Sequence, residues 1–235
     1  MKHPLQGAEF ALAAANDSQL PPPGPFEVAF AGRSNAGKSS AINALANRTR
    51  LAFTSKTPGR TQQIVFFRLR SGALLADLPG YGYAAVPQAL KRHWQAFLAR
   101  YVATRQSLVG LVLVVDARHG LADLDRQLLA GYLPSGRPLL VLATKMDKLA
   151  TAARASAQLA IERDLAGTFA AHASQARVVP FSATHREGID RAEATLAGWL
   201  GAGAPASVER VPASTKEKAP RSRGVTRGRK RPRQD

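Results

Sequence analysis

The chain has 235 residues, 45% of them hydrophobic, which suits one sizeable globular domain and is barely enough for two. It has no cysteine, which excludes disulfide frameworks and cysteine-based metal sites. The formal net charge of +17 favours nucleic acid as a partner, with an anionic membrane surface second. No apolar run approaches the ~20 residues of a spanning helix, so we expect no stable membrane insertion and a cytoplasmic protein.

Residues 1–25 are predicted to be an N-terminal extension. The apolar stretch from Phe10 to Ala15 is short and is predicted to be part of a local helix. The cluster from Pro21 to Pro25 breaks regular structure and marks the start of the compact domain.

Strand-like and helical segments alternate over residues 26–200. The predicted strands are Phe26–Ala31, Gln63–Arg70, Gly72–Asp77, Leu108–Asp116, Arg137–Thr144 and Ala176–Phe181. The predicted helices are Ser39–Asn47, Pro87–Thr104, Leu121–Leu133, Thr151–Ala171 and Gly188–Leu200. This alternation predicts a three-layer α/β/α domain with a mostly parallel sheet of about six strands. The connection at Ser71-Gly72 is too tight for a helical crossover, so the second strand should run antiparallel.

After Gly201 the composition changes to small, polar and basic residues. Residues Glu209–Asp235 contain ten Lys and Arg against three Asp and Glu, a net charge of +7. This segment cannot bury enough apolar surface to offset its ordering entropy, so residues 201–235 are predicted to be a disordered basic tail. Its arginines are expected to contact phosphates, although a merely solubilising role is the alternative.

A phosphate-binding loop is predicted where the first strand meets its helix, in the order G-x-x-x-x-G-K-S. It comprises Gly32, Arg33, Ser34, Asn35, Ala36, Gly37, Lys38 and Ser39. Glycines let the backbone wrap a phosphate chain, and the helix N-terminus favours the anion. Lys38 can reach the β- and γ-phosphates, and the Ser39 hydroxyl can ligate Mg²⁺.

A D-x-x-G motif ends the third strand, at Asp77, Leu78, Pro79 and Gly80. Asp77 beside the phosphate loop can hold Mg²⁺ through water, and the Gly80 N–H can meet a γ-phosphate. After the fifth strand, Thr144, Lys145, Met146 and Asp147 fit the guanine-reading T/N-K-x-D pattern.

The Asp147 carboxylate can accept two guanine N–H groups that adenine lacks, so the pattern favours GTP over ATP. Ser182-Ala183 fits the loop that meets the guanine carbonyl, but this dipeptide alone is nearly uninformative. All four motifs fall at the carboxyl ends of strands and in the correct order, which indicates a Ras-like P-loop NTPase fold. A switch threonine should lie in the polar loop before the second strand, and physical reasoning permits Thr57 or Thr61.

Together, the motifs G-R-S-N-A-G-K-S, T-P-G-R-T-Q, D-L-P-G-Y-G, D-A-R-H-G-L, T-K-M-D and F-S-A resemble the EngB (YihA/YsxC) family. These are TrmE-Era-EngA-EngB-type bacterial GTPases implicated in large ribosomal subunit assembly, whose loss is associated with defects in division and septation. The resemblance runs from about Phe26 to Leu200 and covers neither end of the chain.

The resemblance implies ligand roles for specific positions. Ser39 and Thr61 would be the Mg²⁺ ligands, with Lys38, Thr61 and Asn35 serving hydrolysis. Nucleotide contacts would come from Gly59, Arg60, Thr61, Gln62 and Gln63, from Asp77 to Gly80, from Thr144 to Asp147, and from Phe181, Ser182 and Ala183. Asn35 corresponds to a residue that helps bind K⁺ in related GTPases, although a tolerated turn residue is an equal interpretation.

Intrinsic hydrolysis is expected to be slow. Tyr81 stands after D-x-x-G where many small GTPases place a water-orienting glutamine, and tyrosine is a poor base at neutral pH. The leading hypothesis is a monomeric Mg²⁺-dependent GTPase that binds ribosomal RNA or a large-subunit precursor. The alternatives are an ATPase or nucleotide kinase, which Asp147 argues against, and an RNA- or membrane-binding switch with incidental hydrolysis.

Overall fold

The computed structural model describes residues 4–52, 63–82 and 88–201, apart from the side chains of residues 88–94. Residues 202–235 of the predicted basic tail and the two candidate switch threonines, Thr57 and Thr61, lie outside these ranges. Gly201, the predicted first residue of the tail, is instead the last residue of a helix. The predicted domain boundaries remain predictions. No helix among the described residues is long and apolar enough to cross a membrane.

Within the described ranges, seven strands form a single sheet in the order β1-β3-β4-β2-β5-β6-β7. The strands are β1 Glu9–Ala14, β2 Glu27–Gly32, β3 Ile64–Arg68, β4 Leu74–Asp77, β5 Leu108–Asp116, β6 Leu139–Thr144 and β7 Ala176–Pro180. β3 pairs antiparallel with both of its neighbours, and the other neighbouring strands pair in parallel. The predicted second strand corresponds to β3. The expected α/β class, the mostly parallel sheet and the antiparallel orientation of that strand are therefore confirmed.

The helix predicted around Phe10 to Ala15 is wrong, because residues 9–14 form the edge strand β1. β1 pairs with β3 from Glu9 opposite Arg68 to Ala14 opposite Ile64. Its alanines favour a helix in isolation. The open edge of β3, however, offers backbone hydrogen-bonding groups that a strand can satisfy and a helix cannot.

In the described part of the chain, five α-helices cover the two faces of the sheet. They are α1 Lys38–Leu45, α2 Gln88–Thr104, α3 Asp123–Tyr132, α4 Thr151–Thr168 and α5 Ile189–Gly201. Side chains alternate along the buried strands, so Val28 and Phe30 of β2 pack on one face while Ala29 and Ala31 pack on the other. Helices α1 and α5 cover the first face, and α2, α3 and α4 cover the second, giving the expected three layers.

A buried ion pair fixes the start of β2. Glu27 is fully buried and accepts hydrogen bonds from Arg105 and from the Tyr101 hydroxyl, which is 2.9 Å away. Arg105 also donates to the Pro21 carbonyl at 2.8 Å. Because a buried carboxylate needs charged and hydrogen-bonded partners, this network ties the end of α2 and the proline-rich segment to the central strand.

Candidate functional site

The predicted phosphate loop joins β2 to α1 in a tightly wrapped conformation. A Cβ atom added to Gly32 would lie 2.6 Å from the Val114 carbonyl oxygen, so glycine is needed where β2 passes β5. Asn35 and Gly37 have φ angles of +67° and +97°, and α1 begins at the next residue, Lys38. Asparagine and glycine are the residues that adopt this left-handed conformation most readily. The loop therefore leads directly into a helix N-terminus, where anions are favoured.

Lys38 forms an ion pair with Asp77, the last residue of β4. The two side chains are only 10% and 13% exposed. Ser39 follows in the first turn of α1, so a lysine, a hydroxyl and a carboxylate come from adjoining elements at one edge of the sheet. A hydroxyl and a carboxylate are oxygen donors of the kind that Mg²⁺ prefers, so these residues fit that ion.

The segment after Asp77 lies against the phosphate loop. Leu78 and Pro79 are buried, and a Cβ atom added to Gly80 would lie 3.1 Å from the Ser34 hydroxyl oxygen. The Ser34 N–H donates to the Tyr81 carbonyl at 2.8 Å. The D-x-x-G segment and the phosphate loop are thus joined through their backbones.

Tyr81 points away from solvent and contacts α3. Its hydroxyl donates to the buried Asp125 carboxylate at 2.6 Å. Burial, and then the nearby Asp125 charge, raise the pKa of Tyr81 well above its usual value. Burial likewise raises the pKa of Asp125, against the opposing effect of the Tyr81 hydrogen bond. Tyr81 therefore stays protonated at neutral pH and is occupied as a donor.

Asp147 is held by the loop that follows β7. The Ser182 hydroxyl donates to Asp147 Oδ1 at 2.7 Å, and the Asp147 side chain is 6% exposed. This hydrogen bond lowers the pKa of Asp147. Backbone contacts join the same loops, because the Phe181 N–H donates to the Ala143 carbonyl at 2.8 Å and the Met146 N–H donates to the Phe181 carbonyl at 3.3 Å. The loop carrying Ser182 and Ala183 thus lies beside the T-K-M-D segment.

Lys145 connects the T-K-M-D segment to the phosphate loop. Its Nζ lies 2.6 Å from the Asn35 carbonyl oxygen and 3.0 Å from Asp116 Oδ2. Burial raises the pKa of Asp116, but hydrogen bonds from Arg118 and Lys145 outweigh it and hold that pKa well below its usual range. Asp116 is therefore a fixed negative charge that positions Lys145.

Thr144 is a second connection to the phosphate loop. Its hydroxyl lies 2.5 Å from the Ala36 carbonyl oxygen and 3.0 Å from the Val115 carbonyl oxygen. A serine or threonine at this position can hold the phosphate loop against β5 and β6 through one proton shared between two acceptors. Thr144 thus connects the phosphate loop to β5 and stabilises the loop's position.

A cleft of about 350 Å³ opens between the phosphate loop and the loop after β5. Asn35, Asp116, Lys145 and Arg33 line it, with Asp125 at the α3 side. Its walls carry both signs of charge, so it is a polar cleft at the carboxyl ends of the parallel strands, where α/β proteins bind ligands.

The structure brings together most of the predicted site residues at this edge. These are Gly32 to Ser39, Asp77 to Gly80, Thr144 to Asp147, and Phe181 to Ala183. Gln63 is exposed and directly precedes β3. Gly59, Arg60, Thr61 and Gln62 lie outside the described residues, and the ligand roles of all these residues remain predictions.

The positioning role of Asp116 and the structural role of Thr144 were not predicted from the sequence. An acidic residue at the carboxyl end of a buried strand is a signal for Asp116, because that is where site residues collect. Its partner Lys145 stands 29 residues further along the chain. The pairing of the two follows from the neighbouring positions of β5 and β6 in the sheet.

Comparison with known proteins identifies the relatives of this chain. A family model described as a 50S ribosome-binding GTPase matches residues 27–145. The "Probable GTP-binding protein EngB" of Azoarcus sp. (strain BH72) is 50% identical over 92% of this chain and 97% of its own length. The protein of the same name from Aromatoleum aromaticum is 52% identical over 84% of this chain and 89% of its own length.

A solved structure supports the fold. The crystal structure of a probable GTP-binding protein engB covers 75% of this chain and 100% of its own, with a TM-score of 0.60 and 21% identity. At 21% identity, this match supports the fold alone. The two relatives above are 50% and 52% identical to this chain, and that similarity shows the family. The chain therefore belongs to the EngB family of GTP-binding P-loop GTPases.

Proposed function

We propose that the protein is a Mg²⁺-dependent GTPase switch. It binds the large ribosomal subunit or its precursor during assembly in the cytoplasm, and this activity is required for normal cell division and septation. The observation that carries the nucleotide part is the meeting of Lys38, Asp77 and Asp147 at one edge of the sheet. The family description as a 50S ribosome-binding GTPase supports the ribosomal part. The excess of basic residues supports an RNA-containing partner.

The metal proposal rests on the donor set of the site. Ser39 would bind Mg²⁺ directly and Asp77 would bind it through water. Thr61, in the segment before β3, would supply the third protein ligand. The bound ion would neutralise charge on the phosphates. Asn35 is proposed to help hold K⁺, which would add a second cation near the transferring phosphoryl group.

Slow intrinsic turnover is proposed because Tyr81 is not available to orient water. Its hydroxyl donates to Asp125 in a buried contact, and its raised pKa keeps it from acting as a base. A residue that the partner supplies, or a bound cation, would then accelerate hydrolysis. Such dependence on a partner fits an assembly factor whose nucleotide state should change only on its target.

The experiment is co-sedimentation of the full chain with isolated large ribosomal subunits. We expect stronger binding with a non-hydrolysable GTP analogue than with GDP, and weaker binding as salt increases. Asp147→Asn is the matched control, since its binding should respond to a xanthosine analogue instead of a guanosine analogue. Equal binding with GTP analogue, GDP and no nucleotide would contradict the switch.

Anionic vesicles provide the other arm of the experiment. The alternative function, an RNA- or membrane-binding switch with incidental hydrolysis, predicts nucleotide-dependent binding to vesicles or to naked RNA at least as strong as to the subunits. The proposed function predicts that the subunits outcompete both.

A further inference from the structure

A second cleft, of about 430 Å³, lies where the N-terminal segment passes the end of α1 and the end of β3. Three arginines line it: Arg48 from the residues after α1, and Arg68 and Arg70 from the end of β3 and its turn. We call these three residues the arginine cleft. All three side chains are exposed.

The arginine cleft and the proposed nucleotide site lie at opposite ends of the strands. Arg68 pairs with Leu74, the first residue of β4, whereas Asp77 of the nucleotide site is the last residue of β4. Helix α1 begins at Lys38 in the nucleotide site and has ended before Arg48. Substitutions in the arginine cleft should therefore leave nucleotide contacts intact.

Among the described residues, no ion pair neutralises the charges of the arginine cleft. None of the three arginines forms an ion pair with any carboxylate among the residues that the structure describes. Of the described residues that line the cleft, only Glu9 is acidic, and it stands opposite Arg68 in the β1–β3 register. Three positive charges against one negative charge leave the walls cationic.

The N-terminal segment gives the cleft a defined wall. Leu5 and Ala8 are fully buried, which fixes the turn between them. Gly7, with a φ angle of +77°, leaves space for the Arg70 side chain, because a Cβ atom added there would lie 2.3 Å from Arg70 Nε. The guanidinium of Arg70 is thus supported by backbone, which lowers the entropy it loses on binding an anion.

We propose that the arginine cleft binds backbone phosphates of RNA. Arginine presents a planar fork of donors that matches phosphate oxygens in two-point contacts, and three such forks around one cleft suit a chain of closely spaced phosphates. The +17 charge of the whole chain draws polyanions toward it. The inference deepens the proposed function by assigning a surface to its RNA-containing partner, and it rests on that function for the identity of the RNA.

The test compares two triple variants of the full chain. R48A/R68A/R70A removes the arginine cleft, and R163A/R177A/R191A removes three exposed arginines from α4, β7 and α5. Both lose the same charge. Binding to a short fluorescent oligouridylate and to large ribosomal subunits is measured across a salt series, with GTP affinity as the check on folding.

We expect the cleft variant to bind oligouridylate on the order of tenfold to a hundredfold more weakly near 0.1 M salt, with a log–log salt slope shallower by about 2. The control variant should change far less, because it only reduces the general field. R48K/R68K/R70K keeps the charges and should restore most of the slope. Both alanine variants should retain GTP affinity.

Equal losses in the cleft and control variants would overturn the inference, even if the wild type binds subunits as the proposed function requires. Conversely, a cleft-dependent interaction with oligouridylate but none with subunits would contradict the proposed function and leave the inference standing. Competition by polyglutamate as effective as that by RNA, and lost in the same cleft variant, would overturn RNA in favour of an acidic protein segment.

Discussion

The two halves of the proposed nucleotide site are held together in different ways. On the base side, Asp147 and Lys145 are oriented by a serine hydroxyl, a backbone carbonyl and the Asp116 carboxylate. On the phosphate side, Lys38 is paired directly with Asp77. In the proposed function, a base would enter a site whose groups are already oriented, whereas a phosphate chain would have to compete with Asp77 for Lys38. Preorganisation favours base specificity, and partner exchange couples the phosphates to the D-x-x-G segment.

Removing the phosphate-side lysine should have the largest effect. Lys38→Ala eliminates a charged donor to the phosphates, so we expect affinity for GTP and GDP to fall on the order of 100-fold. Isothermal titration would measure it, with Arg163→Ala on α4 as a control for loss of one positive charge. Undiminished affinity would show that the Lys38–Asp77 pair does not open for phosphate.

Changing the Asp147 carboxylate should alter the preference for GTP over XTP more than it alters the stability of the fold. Asp147→Asn replaces a double acceptor with a mixed donor and acceptor, so GTP should weaken while XTP improves, by about 100-fold in their ratio. Competition between the two nucleotides measures this ratio directly. The same preference as in the wild type would mean that Asp147 does not read the base.

Tyr81→Phe tests whether the Tyr81 hydroxyl stabilises the fold or takes part in GTP hydrolysis. It deprives the buried Asp125 of a donor, so the free energy of unfolding should fall by about 1–3 kcal/mol, while GTP turnover changes little. Tyr132→Phe is the matched control, because its hydroxyl donates to the neutral Pro138 carbonyl and its loss should cost less. Chemical denaturation and phosphate release report the two quantities. A large drop in turnover with unchanged stability would instead place Tyr81 in hydrolysis.

Ser182→Ala tests how the base side is tuned to pH. The Ser182 hydrogen bond lowers the pKa of Asp147, which keeps the base-reading carboxylate ionised at lower pH. Without it the pKa should return upward toward its ordinary value, so on acidification GTP affinity should begin to fall at a higher pH than in the wild type. At neutral pH the loss should be only about twofold to tenfold. Overlapping affinity profiles between about pH 3 and 5 would contradict this.

Potassium should have the smallest effect, and on the phosphate side alone. If Asn35 helps hold K⁺, replacing Na⁺ with K⁺ should raise GTP turnover several-fold, and Asn35→Ala should erase the gain without changing base preference. Phosphate release in the two salts measures it. Equal turnover in both salts would exclude a role for K⁺ and leave the GTPase assignment intact.

The N-terminal strand shows where sequence reasoning reached its limit. Phe10 to Ala15 contains mostly good helix formers, and nothing local in the segment specifies a strand. Its conformation depends on pairing with the edge of β3, whose residues lie 50 to 59 positions later in the chain than their partners. Pairing with a distant partner overrides a weak local preference, so residues 9–14 could be assigned only from the tertiary structure.

The sequence by itself determined the parts of this protein whose chemistry is local. The glycines and Lys38 of the phosphate loop, the acid that ends β4, the T-K-M-D segment and the alternation of strands with helices all follow from contiguous residues and their periodicity. The tertiary structure alone decided which residues from distant elements meet: Lys145 with Asp116, Tyr81 with Asp125, Glu27 with Arg105, and the three arginines of the second cleft. The physical reason is that each pair depends on the order and register of strands, which local propensity does not specify.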